Sequence, residues 1–289
     1  MVILLGATGY VGKAFAQLLI SKEIEFLGLS RRDFNYYDTA ALRNLLTEKN
    51  VKFLINSAGY TGKPNVDACE THKSETLLGN SVLPGIIGDA CRDACVPWGH
   101  VSSGCIYSGR RNDGEAFTEN DPPNFCFRNG PCSFYSGSKA LGEEVLQGRE
   151  DHYVWRLRIP FNHVNGPRNY LSKLLNYRCL LEAENSLCHL DEFVAACWEC
   201  WVQRIPYGIY NMTNTGSVTT KQVTPLIKKY LGTDKDFKFF ATEDEFMAKA
   251  ALTPRSNCVL DNSKIRAAGI PISDVEQALM RALTEWRFA

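Results

Sequence analysis

A chain of 289 residues, 45% of them hydrophobic, is long enough to bury a substantial core and reads as a soluble globular protein of one large or two small domains. Its 32 basic residues balance 32 acidic ones without any dense basic cluster, which excludes the electrostatic footprint of a nucleic-acid or membrane-surface binder. No apolar run approaches ~20 residues and no leader pattern opens the chain, so a cytoplasmic setting and small-molecule partners are expected.

The first element is an apolar run at 2–5, turned by Gly6-Ala7-Thr8-Gly9-Tyr10-Val11-Gly12 into a helical pattern over 10–22. Glycines there let a strand turn sharply and bring backbone N–H groups up to a pyrophosphate. Gly6, Thr8, Gly9, Tyr10, Val11 and Gly12 are therefore candidate cofactor-binding residues. A second strand at 25–29 ends Leu29-Ser30-Arg31-Arg32. NAD-specific folds place a carboxylate at that point for the ribose 2′-hydroxyl. Here Asp33 comes too late, and Ser30, Arg31 and Arg32 suit a 2′-phosphate, so NADP(H) is favoured over NAD(H). A helix over 38–48 leads to a strand at 52–56, whose end, Asn56-Ser57-Ala58-Gly59, is expected beside the adenine half of the cofactor.

A helix over 70–95 and a strand over 96–102 follow, running into His100-Val101-Ser102-Ser103-Gly104-Cys105-Ile106-Tyr107. Hydroxyls at a strand end lie where open α/β sheets bind ligands. The stretch 108–132, rich in Gly, Asn, Pro and charge, reads as a loop over the active site. In the helical pattern over 133–148, Tyr135-Ser136-Gly137-Ser138-Lys139 puts phenol and ammonium on one face, and the spacing predicts that the cation pulls the phenol below its usual pKa of about 10. A strand at 153–159, stopped by Pro160, completes an α/β pattern: a Rossmann-type parallel sheet with helices on both faces. Residues 1–160 are the expected NADP-binding core, with the catalytic Tyr and Lys. Beyond it lie turn-rich sequence over 161–188 with a helix near 170–181, a helix over 191–203 and a short strand at 207–212.

Eleven cysteines are many, but the close pairs Cys91/Cys95 and Cys197/Cys200 lie in helical patterns without histidine partners. They read as free thiols acting as small hydrophobes, and no metal site is expected.

These motifs resemble the extended short-chain dehydrogenases/reductases acting on nucleotide sugars, and within them the reductases of deoxysugar synthesis, above all the bifunctional 3,5-epimerase/4-reductases of UDP-rhamnose synthesis. The narrower likeness rests on Asn56-Ser57-Ala58-Gly59 running into Thr61-Gly62-Lys63-Pro64-Asn65-Val66-Asp67-Ala68-Cys69-Glu70, on Gly104-Cys105-Ile106, on Gly166-Pro167-Arg168-Asn169 with Lys173, and on Pro254-Arg255-Ser256-Asn257. The resemblance implies that 161–289 both completes the core and forms a small C-terminal substrate-binding lobe. It also implies a homodimer through the helices at 70–95 and 133–148.

Ketone reduction needs a proton donor and groups that hold the developing alkoxide. Tyr135 fills the first need, with Lys139 on the nicotinamide ribose and Ser103 on the carbonyl. Ser102 competes, but Ile106-Tyr107 aligns Ser103 with the family's hydroxyl. A 4-keto group also acidifies the protons at carbons 3 and 5, so an acid and a base across the ring can invert both centres. Cys105, two residues past Ser103 and so expected on the same strand face, and Lys173 match the epimerase-reductase pair. In GDP-fucose synthases the cysteine's partner is a histidine, which makes His163 and His189 backups. Asn65, Gly104, Asn162, Arg168, Asn169, Arg255 and Asn257 are candidate substrate contacts, and Pro160 a cofactor contact. The first glycine motif is general to the extended family, and 108–132 and 230–250 are less alike, so UDP, dTDP and GDP all remain open. The rivals are a pure 4-keto-sugar reductase and a non-catalytic NADP-binding regulatory subunit.

Overall fold

The computed structural model describes residues 1–287. Strands and helices alternate through β1 (Val2–Leu5), α1 (Tyr10–Ser21), β2 (Phe26–Leu29), α2 (Thr39–Glu48) and β3 (Phe53–Asn56). Two short helices, α3 (Ala68–Thr71) and α4 (Lys73–Leu77), then lead through a π turn at Leu78–Val82 into α5 (Leu83–Asp93), followed by β4 (Trp98–Ser103), α6 (Phe134–Val145) and β5 (His152–Leu157). The remainder holds β6 (Pro160–Phe161), α7 (Tyr170–Asn176), β7 (Cys179–Leu180), β8 (Glu184–Asn185), β9 (Cys188–His189), α8 (Leu190–Val202) and β10 (Gly208–Asn211). It ends with β11 (Val218–Thr219), α9 (Thr220–Leu231), β12 (Lys238–Phe239), α10 (Glu243–Ala250), α11 (Ser263–Ala267) and α12 (Val275–Thr284).

Six strands form one parallel sheet in the order β10-β5-β4-β3-β1-β2. β1 and β3 are buried throughout, because helices cover both faces and leave no solvent side to alternate towards. On one face Phe15 and Leu19 of α1 pack with Phe193 and Cys197 of α8 around Trp155. On the other, Leu42 and Leu46 of α2 meet Ile87 and Cys91 of α5. The sheet thus depends on the later half of the chain for an edge strand and a covering helix. Strand order reverses between β1 and β3, which opens the crevice where such sheets bind ligands. A separate core of Phe161, Leu171, Leu174, Val223, Ile227 and Leu279 supports the C-terminal lobe. No helix of the described residues is long and apolar enough to cross a membrane.

Four elements differ from expectation. The helix over 70–95 is broken, because Asn80 in the π turn donates to Tyr60 O (2.8 Å) and Ser138 Oγ (3.0 Å) and accepts from Tyr60 N (2.8 Å). The helix near 170–181 ends at Asn176, where the Lys235 ammonium takes the carbonyls of Leu175 (2.5 Å) and Tyr177 (2.8 Å) and the chain extends into β7. β5 ends at Leu157, and Pro160 opens β6 instead of closing β5. The stretch 108–132 is strapped down: Gly109 bridges Cys258, Phe117 bridges Leu260, and Ile106, Tyr107, Phe117 and Cys126 share a core with Cys258 and Leu260.

Candidate active site

The glycine turn is built for close approach. Gly6 has φ +75°, and a Cβ on it would stand 2.7 Å from Ala58 N; one on Gly12 would run into Gly6 O. Both positions therefore require glycine. Gly9 caps α1 without a side-chain bond, and no acidic residue occupies the first turn. The first-turn amides of Tyr10, Val11 and Gly12, with exposed Thr8 before them, are thus open to an anion. The Tyr10 hydroxyl donates to Asn162 Oδ1 at 3.4 Å, tying the turn to the second half of the chain.

At the end of β2, Arg31 and Arg32 form no ion pair among the described residues, and Arg31 lies beside Tyr37. Asp33, too late in sequence, nevertheless folds back: its Oδ2 accepts from Ser30 N (2.9 Å) and Ser30 Oγ (2.6 Å), which holds its pKa below the usual carboxylate value. The Ser30 hydroxyl is therefore committed to Asp33, leaving the two guanidinium groups as the donors. At the end of β3 the side chains turn inward. Asn56 bonds His100 Nδ1 (2.9 Å) and Ala58 N (3.0 Å), and Ser57 Oγ donates to Leu5 O (2.7 Å). Asn56 and Ser57 shape the loop, and Ala58 and Gly59 offer backbone alone.

The catalytic candidates converge at the end of β4. Ser133 caps α6 through Ser136 N (3.1 Å), and Glu70 accepts from Phe134 N (2.7 Å), fixing the helix start on which Tyr135 stands. Lys139 is 5% exposed and donates to Val101 O at 3.2 Å. Burial lowers its pKa, opposed by Cys105 and Glu143. Burial raises the Tyr135 pKa, with Cys105 adding to the rise and the Ser103 hydroxyl and Arg158 opposing it. The expected depression by Lys139 is thus corrected: burial outweighs the Ser103 hydroxyl and Arg158, the groups that oppose it. Cys105 also departs from strand alternation. β4 ends at Ser103, and Gly104–Ile106 is a single 3₁₀ turn capped by Ser103 Oγ accepting from Cys105 N at 3.3 Å. The thiol still reaches the hydroxyls of Ser103 and Ser136, and burial raises its pKa.

Lys173 stands on α7 near Arg168 and Arg255, and burial and those two cations lower its pKa. Arg168 donates to Gly62 O at 2.6 Å. Asn65 caps the local turn by accepting from Asp67 N at 2.8 Å. Three expected substrate contacts are occupied otherwise. Asn169 is fully buried, capping Leu171 N (3.0 Å) and donating to the carbonyls of Asn162 and Val164 (both 2.8 Å). Asn162 accepts that same amide, and Arg255 is clamped on Asp67 through two bonds of 2.6 and 2.8 Å. Asn257 bonds Asn185 Nδ2 at 3.1 Å and lines a cleft of ≈ 720 Å³ with Arg110, Glu184 and Lys221. His163 pairs with Asp191 (3.5 Å) and buried His189 packs on Phe161; neither joins Cys105.

Two neighbours of the site escaped the sequence reading. Glu143, one turn beyond Lys139, accepts from Ser102 Oγ (2.5 Å) and pairs with Arg156 (2.7 Å). Arg158 lies buried behind Gly104. The signal for Arg158 was Arg156-Leu157-Arg158 at the end of an otherwise apolar strand.

The family model of the RmlD substrate binding domain matches residues 1–288. The chain is 31% identical over 288 residues to a bifunctional dTDP-4-dehydrorhamnose 3,5-epimerase/dTDP-4-dehydrorhamnose reductase of Arabidopsis thaliana, covering 98% of this chain and 92% of that one. The fold matches the L780 UDP-rhamnose synthase of Acanthamoeba polyphaga mimivirus with a TM-score of 0.89 at 22% identity, over 98% of both chains. It also matches a dTDP-4-dehydrorhamnose reductase of Bacillus anthracis str. Ames in complex with NADP, with a TM-score of 0.82 at 17% identity, over 99% of this chain and 97% of that one.

Proposed function

The chain belongs to the RmlD substrate binding domain family, and on that premise we propose that it is an NADPH-dependent 3,5-epimerase/4-reductase converting UDP-4-keto-6-deoxyglucose to UDP-L-rhamnose. The coarser statement, a reductase of nucleotide-linked 4-keto sugars in rhamnose synthesis, follows the names of its relatives. What supports the finer one is the meeting of Ser103, Cys105 and Tyr135 at one strand end, together with Lys173, half-buried on α7 beside Arg168 and Arg255.

The residues fit a dinucleotide: open amides at the start of α1, a glycine turn that admits close approach, and the exposed guanidinium groups of Arg31 and Arg32 suit the pyrophosphate and a 2′-phosphate. NADPH, when bound, supplies the hydride. Lys139 would hold the nicotinamide ribose. Ser103 would hydrogen-bond the ketone, and the protonated phenol of Tyr135 would donate to its oxygen as charge develops there. Before that, Cys105 and Lys173 would exchange the protons at carbons 3 and 5. Epimerisation comes first, because reduction removes the carbonyl that makes those protons acidic. We further propose a homodimer through the π turn, α5 and α6, where Leu78, Val82 and Val145 stand exposed.

The second reading is a reductase alone; the raised Cys105 pKa favours it, since a neutral buried thiol also serves as a small hydrophobe. Proton NMR of the product made from UDP-4-keto-6-deoxyglucose and NADPH in deuterated water separates the two. Deuterium at carbons 3 and 5 of a rhamnose product is the expected result. A reduced sugar without deuterium would leave the reductase alone.

A further inference from the structure

The register of β4 against β5 ends by pairing Ser102 with Arg156 and Ser103 with Leu157, and Arg158, the next residue, lies against Gly104. Its Cδ lies 3.6 Å from where a Cβ on Gly104 would be. Arg158 is 6% exposed, and Nη2 donates to Asn185 Oδ1 and to Ser256 O. Nε has no acceptor. Arg156, two residues earlier, has Glu143 at 2.7 Å, yet no carboxylate among the described residues pairs with Arg158. A buried guanidinium held by neutral acceptors has no carboxylate beside it and can stabilise an anion formed nearby.

We propose that Arg158 is an electrostatic positioning residue, the fixed counter-charge of the Cys105 thiolate. The proposal rests on the epimerase reading above and, following the raised Cys105 and lowered Lys173 pKa, assigns the acid of the pair to Cys105 and the base to Lys173. The neutral Lys173 amine takes the proton from the ring carbon next to the ketone; the C–H electron pair becomes the enolate double bond, and the carbonyl pair moves to oxygen. The Cys105 thiol returns a proton to that carbon from the other side as the enolate collapses to the ketone, leaving a thiolate beside Arg158, and exchange with solvent restores thiol and amine. Cys105 is faced by Tyr135 and Lys139 of α6, by the thiols of Cys69, Cys132 and Cys258, and by Arg158. Lys139 already donates to Val101 O, whereas the Arg158 Nε has no acceptor.

The test is the pH midpoint of Cys105 alkylation by iodoacetamide in the purified chain, read on the Cys105 peptide by mass spectrometry. Arg158→Gln is expected to raise it by about one pH unit and Arg158→Lys to restore it. Asn185→Asp, which leaves the arginine in place but supplies a carboxylate to Nη2, is expected to raise it likewise and decides the matter if Arg158→Gln does not fold. Solvent-deuterium exchange at carbons 3 and 5 should slow about ten-fold in both variants, with reduction of the already epimerised ketone changed by less than about three-fold. An unchanged alkylation midpoint overturns the role of Arg158, as does a fall of exchange and reduction together. A shifted midpoint in a chain whose wild type exchanges no deuterium overturns the epimerase reading alone.

Discussion

Tyr135 shows how a local pattern and its surroundings can pull in opposite directions. Its spacing to Lys139 set the expectation of an acidified phenol, but burial raises the pKa, so the proposed proton donor rests protonated. Tyr135→Phe is therefore expected to lower kcat for ketone reduction about 100-fold or more with NADPH binding preserved, as read by single-turnover absorbance and nucleotide fluorescence. At the other end of the cofactor, Arg31→Ala is expected to raise the KM for NADPH about ten-fold and leave that for NADH unchanged, the loss of one charge-assisted bond to a phosphate. His189 carries a stability prediction. Burial lowers its pKa to about 4, below the ordinary ~6.5. As pH falls through that window the unfolded chain binds a proton that the folded chain refuses. The stability it contributes is intact above ~6.5 and lost at on the order of 1 kcal/mol per pH unit on the way down. Thermal unfolding should show a slope in Tm that His189→Gln flattens.

Among the elements, α6 is the most constrained, because it carries Tyr135 and Lys139 and packs directly on the π turn. A Cβ on Gly142 would run into Asn80 O, and the Ser81 hydroxyl donates to Ser138 O at 2.8 Å, so the two segments meet at backbone distance. Gly142→Ala improves helix propensity by about 1 kcal/mol but overpacks this contact, and a net loss of about 1–3 kcal/mol in denaturant unfolding is expected. The opposite face of the pair leaves Leu78 and Val82 one turn apart and exposed. Replacing both with Glu should give a monomer in sedimentation equilibrium; a dimer that survives would exclude this surface.

Across the whole molecule, what was legible in the sequence is what short spacing encodes. The turn at Gly6, the apolar strands and the Tyr135/Lys139 helix each follow from residues within one or two turns of one another. The broken helix was not legible, since Asn80 answers to Tyr60 and Ser138, 20 and 58 residues away. Nor were the inward turn of Asn169 and the engagement of Arg255, because a guanidinium or amide in sequence does not reveal whether the protein has already taken it. The Asp67–Arg255 clamp joins positions 188 residues apart, from the loop after β3 to the segment behind α10. That separation has a meaning for the nascent chain. A ribosome that has released the glycine turn and all six sheet strands has yet to emit the arginine that clamps the loop after β3, so the glycine turn can be in place well before that loop is fixed.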